Sequence, residues 1–283
     1  MGRRPGVVIK SERELALMRE AGQVNARALA AAVSIVRPGI TTKDLDSAAA
    51  EVLRTHGAEP AFVGVQMHGA DPYPAVTTIS VNDELVHGIP GKRRLKSGDI
   101  VSIDCGSIVE GFVADSALTV GVGEISEQAQ KLIDVTLESL YIGIAKLVEG
   151  NRTGDVSAAI QEYVERNGFN VVREYTSHGV GRSMHEDPQV PNFGRAGHGL
   201  PLKSGMTIAL EPMVLAGSPE TRVLEDRWTV CSRDGHLTAH FEHSVAITVY
   251  GPKILTALDG DLDELGLARY NRYFAGQQST VTG

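Results

Sequence analysis

Two aspartates stand where strands are being built. Asp104 closes the run Ile100-Val101-Ser102-Ile103-Asp104, and Asp115 lies inside Phe112–Val120, both in segments rich in β-branched residues. Aspartate is depleted in strand interiors, and a carboxylate on a buried face is costly unless it is paired or ligates a metal. The turn signal Glu110-Gly111 lies between them, so a hairpin folding there sets the two roughly opposite each other. Like charges meeting on one face call for a cation between them. The bland alternative gives one aspartate to the turn and the other to a solvated edge, and this pair alone does not decide the matter.

The second half of the chain repeats the anomaly. Glu211 ends the apolar strand Thr207–Leu210 just before Pro212, and Glu242 opens the run that continues to Val249. Between the halves, His178 sits in the Gly-flanked turn Ser177-His178-Gly179-Val180-Gly181, where a tight backbone can present an imidazole. Four carboxylates and one imidazole suit a pair of divalent ions such as Mn, Fe(II), Co or Zn. No Cys-x-x-Cys pattern points to a structural zinc. Together the five are harder to explain as solvated charges than any one of them is alone.

Helices must position these strands. Helical spacing runs from Glu12 to Ile35 (Leu15, Met18, Ala21, Gly22, Leu29, Val33) and stops at Pro38-Gly39. Thr42 reads as the N-cap of a shorter helix ending at Gly57. A second long helix is predicted over Glu127–Val148, and a second short one follows a cap at Thr153 and ends at Gly168. At an offset of 111, Thr42, Asp44, Ala48, Glu51 and Gly57 meet Thr153, Asp155, Ala159, Glu162 and Gly168, which reads as an internal duplication. Strands follow each helical part: Val76–Val81, Ile100–Asp104 and Phe112–Val120, then Thr207–Glu211, Trp228–Ser232 and Leu237–Val249. The expected fold is α+β, with two halves sharing a curved, largely antiparallel sheet, helices on its outer face and an open inner face for a site.

Composition narrows the function classes. The 283 residues hold 27 basic and 35 acidic side chains, a net charge of −8, and 42% are hydrophobic. The mean hydropathy is −0.07. This is a globular profile that excludes disorder, collagen-like structure and coiled coil. The acidic balance argues against nucleic acid or an anionic membrane as the main partner. Two cysteines, Cys105 and Cys231, are too few for a disulfide framework and suit a reducing cytoplasm. No signal peptide or membrane-spanning run is expected, and Gly6 stands where a myristoylation motif needs Ser or Thr.

With these residues in view, the sequence resembles the type I methionine aminopeptidases, metal-dependent hydrolases with the pita-bread fold. The resemblance is carried in family order by IKSERELALMREAG, SVNDELVHGIP, GDIVSIDCGSIVEGFVADSALT, SHGVGRSMHEDPQVPNFG, GMTIALEPM, DRWTV and HFEHSVAIT. It implies one catalytic domain over residues 9–257, with halves near 9–122 and 123–257, followed by a tail, 258–283, of unassigned role. It implies two divalent metal ions per chain held by Asp104, Asp115, His178, Glu211 and Glu242. His87 and His185 are implied as substrate-contacting catalytic histidines, and Glu211 as the proton shuttle. The implied reaction is hydrolysis of the first peptide bond by a metal-activated water, releasing N-terminal methionine when the second residue is small. The implied substrates are nascent polypeptides, met at the ribosome by a cytoplasmic monomer.

There are departures. The stretch VGVQMHGADPYP is longer than the loop many members carry there, and Thr78 and Met184 replace the Cys and Phe common in the methionine-pocket wall. Trp228 is read as packing with a polar handle. His56 suits a helix C-terminus, whereas His68, His198, His236, His240 and His243 read as loop or strand-face residues. Strand alternation turns His243 away from Glu242, and Cys105 away from Asp104. Two rivals stand beside this reading. A proline-specific aminopeptidase or dipeptidase of the same fold usually carries an extra N-terminal domain, for which no room precedes Glu12. A non-catalytic binding module of this fold would have lost ligands.

Overall fold

The structure, a computed structural model, describes residues 6–67 and 69–259. The expectations for His68 and for the tail beyond Asp259 lie outside these residues. Helix α1, Glu12–Ser34, starts in a capping box in which Ser11 accepts from the Glu14 N–H and the Glu14 carboxylate accepts from the Ser11 N–H. Its apolar stripe, Met18, Ala21, Leu29 and Val33, is fully buried. Helix α2, Thr42–Thr55, is capped by Thr41 rather than Thr42. Of two adjacent threonines, Thr41 is the one three residues before Asp44, whose carboxylate accepts from the Thr41 N–H at 2.8 Å.

The same arrangement recurs. Helix α3, Glu127–Ile144, stops four residues short of the predicted end. Helix α4, Thr153–Arg166, begins at Arg152, one residue before the expected cap, and its Asp155 carboxylate accepts from the Arg152 N–H at 2.7 Å. Helices α2 and α4 are each 14 residues long and lie 111 positions apart, the offset read from the sequence.

Among the described residues the main sheet has nine strands, and every pairing in it is antiparallel. Across its centre run Ile100–Val109, Phe112–Gly121, Glu242–Thr248, Thr207–Leu210 and Thr176–Gly179 in that spatial order. Strands from the two halves of the chain meet where Phe112–Gly121 pairs with Glu242–Thr248. Thr77–Val81 pairs with Ile100–Val109 on the other side. Helix α1 packs on the first hairpin, and α3 packs against Thr238–His240, Phe112–Gly121 and Thr207–Leu210. The largest core cluster, including Leu45, Ile79, Ile103, Leu132, Ile160 and Val245, fills the space under the helices. Each such buried aliphatic side chain contributes roughly 1.5–3 kcal/mol.

Register is where the sequence reading needs correction. Glu110 and Gly111, with φ of 50° and 75°, make a two-residue turn that pairs Val109 with Phe112. Counting back from that turn, Asp104 faces Ala117 and Asp115 faces Gly106. The two aspartates therefore share a face on the diagonal, not directly opposite. The predicted strand Leu237–Val249 is also divided, into Thr238–His240 and Glu242–Thr248, with Phe241 between.

A buried carboxylate cluster at the sheet centre

The register lines the candidate residues up in rows across the sheet. Thr78 pairs with Asp104, Asp104 with Ala117, and Ala117 with Glu242. Glu211 follows Leu210, the partner of His243, so it extends the same row. One step along, Asp115 meets Ser244, Ser244 pairs with Ala209, and Ala209 with His178. Small residues thus separate the donors. Ala117 stands between Asp104 and Glu242, and Ala209 between Ser244 and His178, leaving room above the sheet that side chains do not fill.

The donors are held from behind. Ser244 Oγ donates to the Asp115 carbonyl at 2.9 Å and accepts from the Asp115 N–H at 3.0 Å. Ser177 Oγ accepts from the Glu211 N–H at 2.9 Å. His178 Nδ1 lies 2.9 Å from the Gly179 carbonyl, which leaves Nε2 facing Glu211 Oε1 at 3.5 Å. Burial raises Asp104, Glu211 and Glu242 well above the ordinary carboxylate range, and their mutual charge adds to it. Asp115 is pushed up to about 7 by burial. His178 and His87 are both held down to about 4, again by burial. Carboxylates buried this close together cannot all ionise without a compensating cation.

The residues fit such a cation. Asp104 Oδ1, Asp115 Oδ1 and Glu242 Oε1 are buried with no hydrogen-bond partner. Asp115, His178 and Glu242 each offer a ligand atom within 4.8 Å of the others, and so do Glu211, His240 and Glu242. Glu242 belongs to both groups. Oxygen donors with imidazole suit a divalent first-row ion.

His240 is the residue the sequence reading missed. It is not a bystander on a strand face but is 2% exposed, with Nε2 3.4 Å from Glu211 Oε2 and 4.0 Å from Glu242 Oε2. Its backbone is fixed by Thr119, whose hydroxyl donates to the His240 carbonyl and accepts from its N–H, both at 2.9 Å. In the single strand expected over Leu237–Val249, residues 240 and 242 fall on one face by alternation, although the structure divides that strand at Phe241. His243 does turn away, with Nδ1 2.8 Å from Thr256 Oγ1. Cys105 turns away too, into the core.

A cavity of about 300 Å³ opens over the cluster. Asp104, Asp115, His178, Glu211 and Glu242 line it, with Phe62, Tyr73, Thr78, Met184 and Trp228 as further walls. His87 and His185 also border it. His87 sits at φ 62°, edge-on to Tyr175 and Trp228. The exposed His185 ring lies 4.4 Å, centroid to centroid, from that of His178. Trp228 both packs and lines the cavity, with Nε1 donating to the Asp71 carbonyl at 2.9 Å and its ring meeting Tyr73 edge-on at 5.0 Å. The longer loop contributes Val65, Gln66 and Met67 to the rim.

Residues 16–249 match metallopeptidase family M24, and the chain belongs to that family of metal-dependent peptidases. Within it the chain is a member of the methionine aminopeptidases. The methionine aminopeptidase of Clostridium perfringens (strain 13 / Type A) is 51% identical over 252 residues, covering 89% of this chain and 99% of that one. The crystal structure of methionine aminopeptidase from Thermotoga maritima superposes with a TM-score of 0.85 at 45% identity, over 88% of this chain and 99% of the other. The prolidase from Pyrococcus horikoshii OT3 shares the fold alone, at TM-score 0.71 and 23% identity, and this chain spans 65% of its length. The pita-bread fold and the metal-dependent class expected from the sequence both hold.

Proposed function

We propose that the protein removes the N-terminal methionine from polypeptides whose second residue is small. Two divalent ions serve the reaction, with Co, Mn, Fe(II) or Zn all compatible with the donors. The observation that carries the reading is the convergence of three buried carboxylates, the partly buried Glu211 and a buried imidazole beneath an apolar-walled cavity. When bound, the ions supply Lewis-acid activation of a water and of the scissile carbonyl. Asp104, Asp115, His178, Glu211 and Glu242 would hold the ions. The donor atoms fall into two overlapping groups, Asp115 with His178 and Glu242, and Glu211 with His240 and Glu242, which supports a site for more than one ion.

The chain's own residues do the rest. Glu211 serves as the proton shuttle to the leaving amine. His185, at the cavity mouth, donates to the carbonyl oxygen as charge develops there, and His87 hydrogen-bonds the scissile amide. The walls of Phe62, Tyr73, Met184 and Trp228 take the methionine side chain, for which aromatic edges and a polarisable thioether are well matched.

The catalytic unit is residues 9–257, and it works as a monomer on nascent chains leaving the ribosome, with no nucleic acid as substrate. A cytoplasmic location is supported by two free, buried cysteines. No helix among the described residues is long and apolar enough to cross a membrane. The reading is tested by following the free N-terminal amino acid released from Met-Ala-Ser (methionine) beside Ala-Pro-Ser (alanine). Release from the first and not the second is expected, and preferential cleavage before proline would transfer the chain to the rival activity.

A further inference from the structure

The turn that carries His185 is fastened by a carboxylate for which the catalytic reading has no use. Glu186 Oε1 accepts from the backbone N–H groups of Arg182 at 2.8 Å and Ser183 at 3.3 Å, drawing the turn closed. Its Oε2 accepts from Lys10 Nζ at 2.5 Å. The ion pair is out of water, with side-chain exposures of 3% for lysine and 11% for glutamate. Lys10 precedes the cap of α1, and its own N–H is tied to the Gly205 carbonyl at 2.8 Å. The segment leading into α1 therefore reaches 176 residues along the chain to grip this turn.

The turn closes tightly around the pair. A Cβ on Gly181 would sit 2.6 Å from both Lys10 Cε and Glu186 Oε1, so a larger residue there would have to displace the pair. Beside the pair, Met184 lines the cavity and His185 borders it. A buried ion pair is weak evidence for stability, since well-packed apolar residues often serve as well or better. What it supplies is direction. A carboxylate held by two backbone N–H groups and one ammonium has one place to be, and the residue bonded to it inherits that place.

We propose that Lys10 and Glu186 are positioning residues that hold His185 where it meets the scissile carbonyl. The proposal rests on the role given to His185 above. Lys10→Met removes the charge and leaves the other contacts of the turn. In the metal-loaded enzyme acting on Met-Ala-Ser, kcat should fall on the order of 10- to 100-fold, the loss that a small misplacement of a catalytic group produces. KM should stay within about twofold and the bound metal should be unchanged, because a transition-state contact is what is lost. The deciding comparison is the double variant. In a His185→Ala background, Lys10→Met should lower kcat no further, since it acts through a side chain already gone.

A second readout does not depend on activity. The His185 imidazole resonance, assigned by its disappearance in His185→Ala, should be single and sharp in the native protein and broadened or doubled in Lys10→Met. Should Lys10→Met fail to fold, Glu186→Gln, which keeps an acceptor for the turn, is expected to show the same pattern in milder form. A native kcat with only a lowered Tm would overturn the proposal, and so would losses that multiply in the double variant or an unchanged His185 resonance. Native protein that releases no methionine would instead overturn the functional reading, leaving the resonance to judge the positioning role.

Discussion

Removing the metal should leave a fold whose stability falls as the pH rises above about 6.5, and the electrostatics of the site give the slope. Asp115 is pushed up to about 7 from an ordinary 3.8, and Asp104, Glu211 and Glu242 are raised well above the usual range, all through burial first. In the ion-free protein the folded state keeps protons that the unfolded chain has already released. Stability then decreases with pH, by about 1.4 kcal/mol per pH unit for each carboxyl still protonated. For Asp115 alone, holding at about 7 makes the ion-free fold on the order of 4 kcal/mol less stable once it ionises in both states. That is a large share of a typical stability of about 5–15 kcal/mol.

The buried histidines pull the other way, but at lower pH. His87, His178 and His243 are held down to about 4 and His240 to about 3 by burial. They stay neutral when folded while the unfolded chain takes up protons below about 6.5, so stability rises with pH up to that point. Below about 6.5 this gain opposes the loss from the raised carboxyls over the same range, so Tm measured by calorimetry in chelator from pH 5 to 9 should be near level up to about 6.5 and then descend. With saturating Mn²⁺ the descending limb should be absent or much reduced. A chelated protein whose Tm stays flat or climbs between pH 7 and 9 would refute the reasoning.

Three further outcomes follow from the geometry. Replacing His185 or His87 by Ala should cost about 10²–10³ in kcat with metal content near native, while His243→Ala, which removes only the contact to Thr256, should change steady-state kinetics little. Loss of a metal ion from His185→Ala would reverse that division of roles. Asp104→Asn should abolish tight metal binding and nearly all turnover while the circular dichroism spectrum stays native, and unchanged metal stoichiometry would remove Asp104 from the ligand set. Met-Ala peptides should be cleaved far faster than Met-Lys or Met-Phe, and equal rates on Met-Phe and Met-Ala would show that the rim does not exclude a large second residue.

Much of the site was legible because a carboxylate inside a strand of Val and Ile violates the local pattern. Asp104, Asp115 and Glu242 stand out on that ground alone, and Glu211 and His178 join them through Pro and Gly neighbours that end or tighten their strands. Register was less legible. The Glu110-Gly111 pair marks the hairpin, but whether the turn holds two residues or more decides if Asp115 faces Asp104 or Gly106, and only the positive φ at both positions fixes that. Cap positions slipped by one for a related reason. Adjacent Thr41 and Thr42 are equally good caps by type, and the reach of Asp44 back to the Thr41 N–H selects between them.

His240 was hard to read because a histidine in a strand carries no local violation of the pattern. Its parity with Glu242 was available, but its approach to Glu211 depends on how two strands distant in sequence meet. The fastening of the His185 turn by Lys10 was out of reach for the same reason, since no local pattern links residues 176 positions apart. Long-range pairing is where a single sequence gives least.

The most direct measurement of the whole reading titrates Mn²⁺ into chelator-stripped protein and counts bound ions by calorimetry, while free methionine released from Met-Ala-Ser is followed in matched samples. Turnover should be absent without metal and should rise with occupancy of the carboxylate cluster, saturating at no more than two ions per chain, and Asp115→Asn should lose binding and turnover together. Methionine release that survives chelation, or full ion binding with no release of methionine, would contradict it.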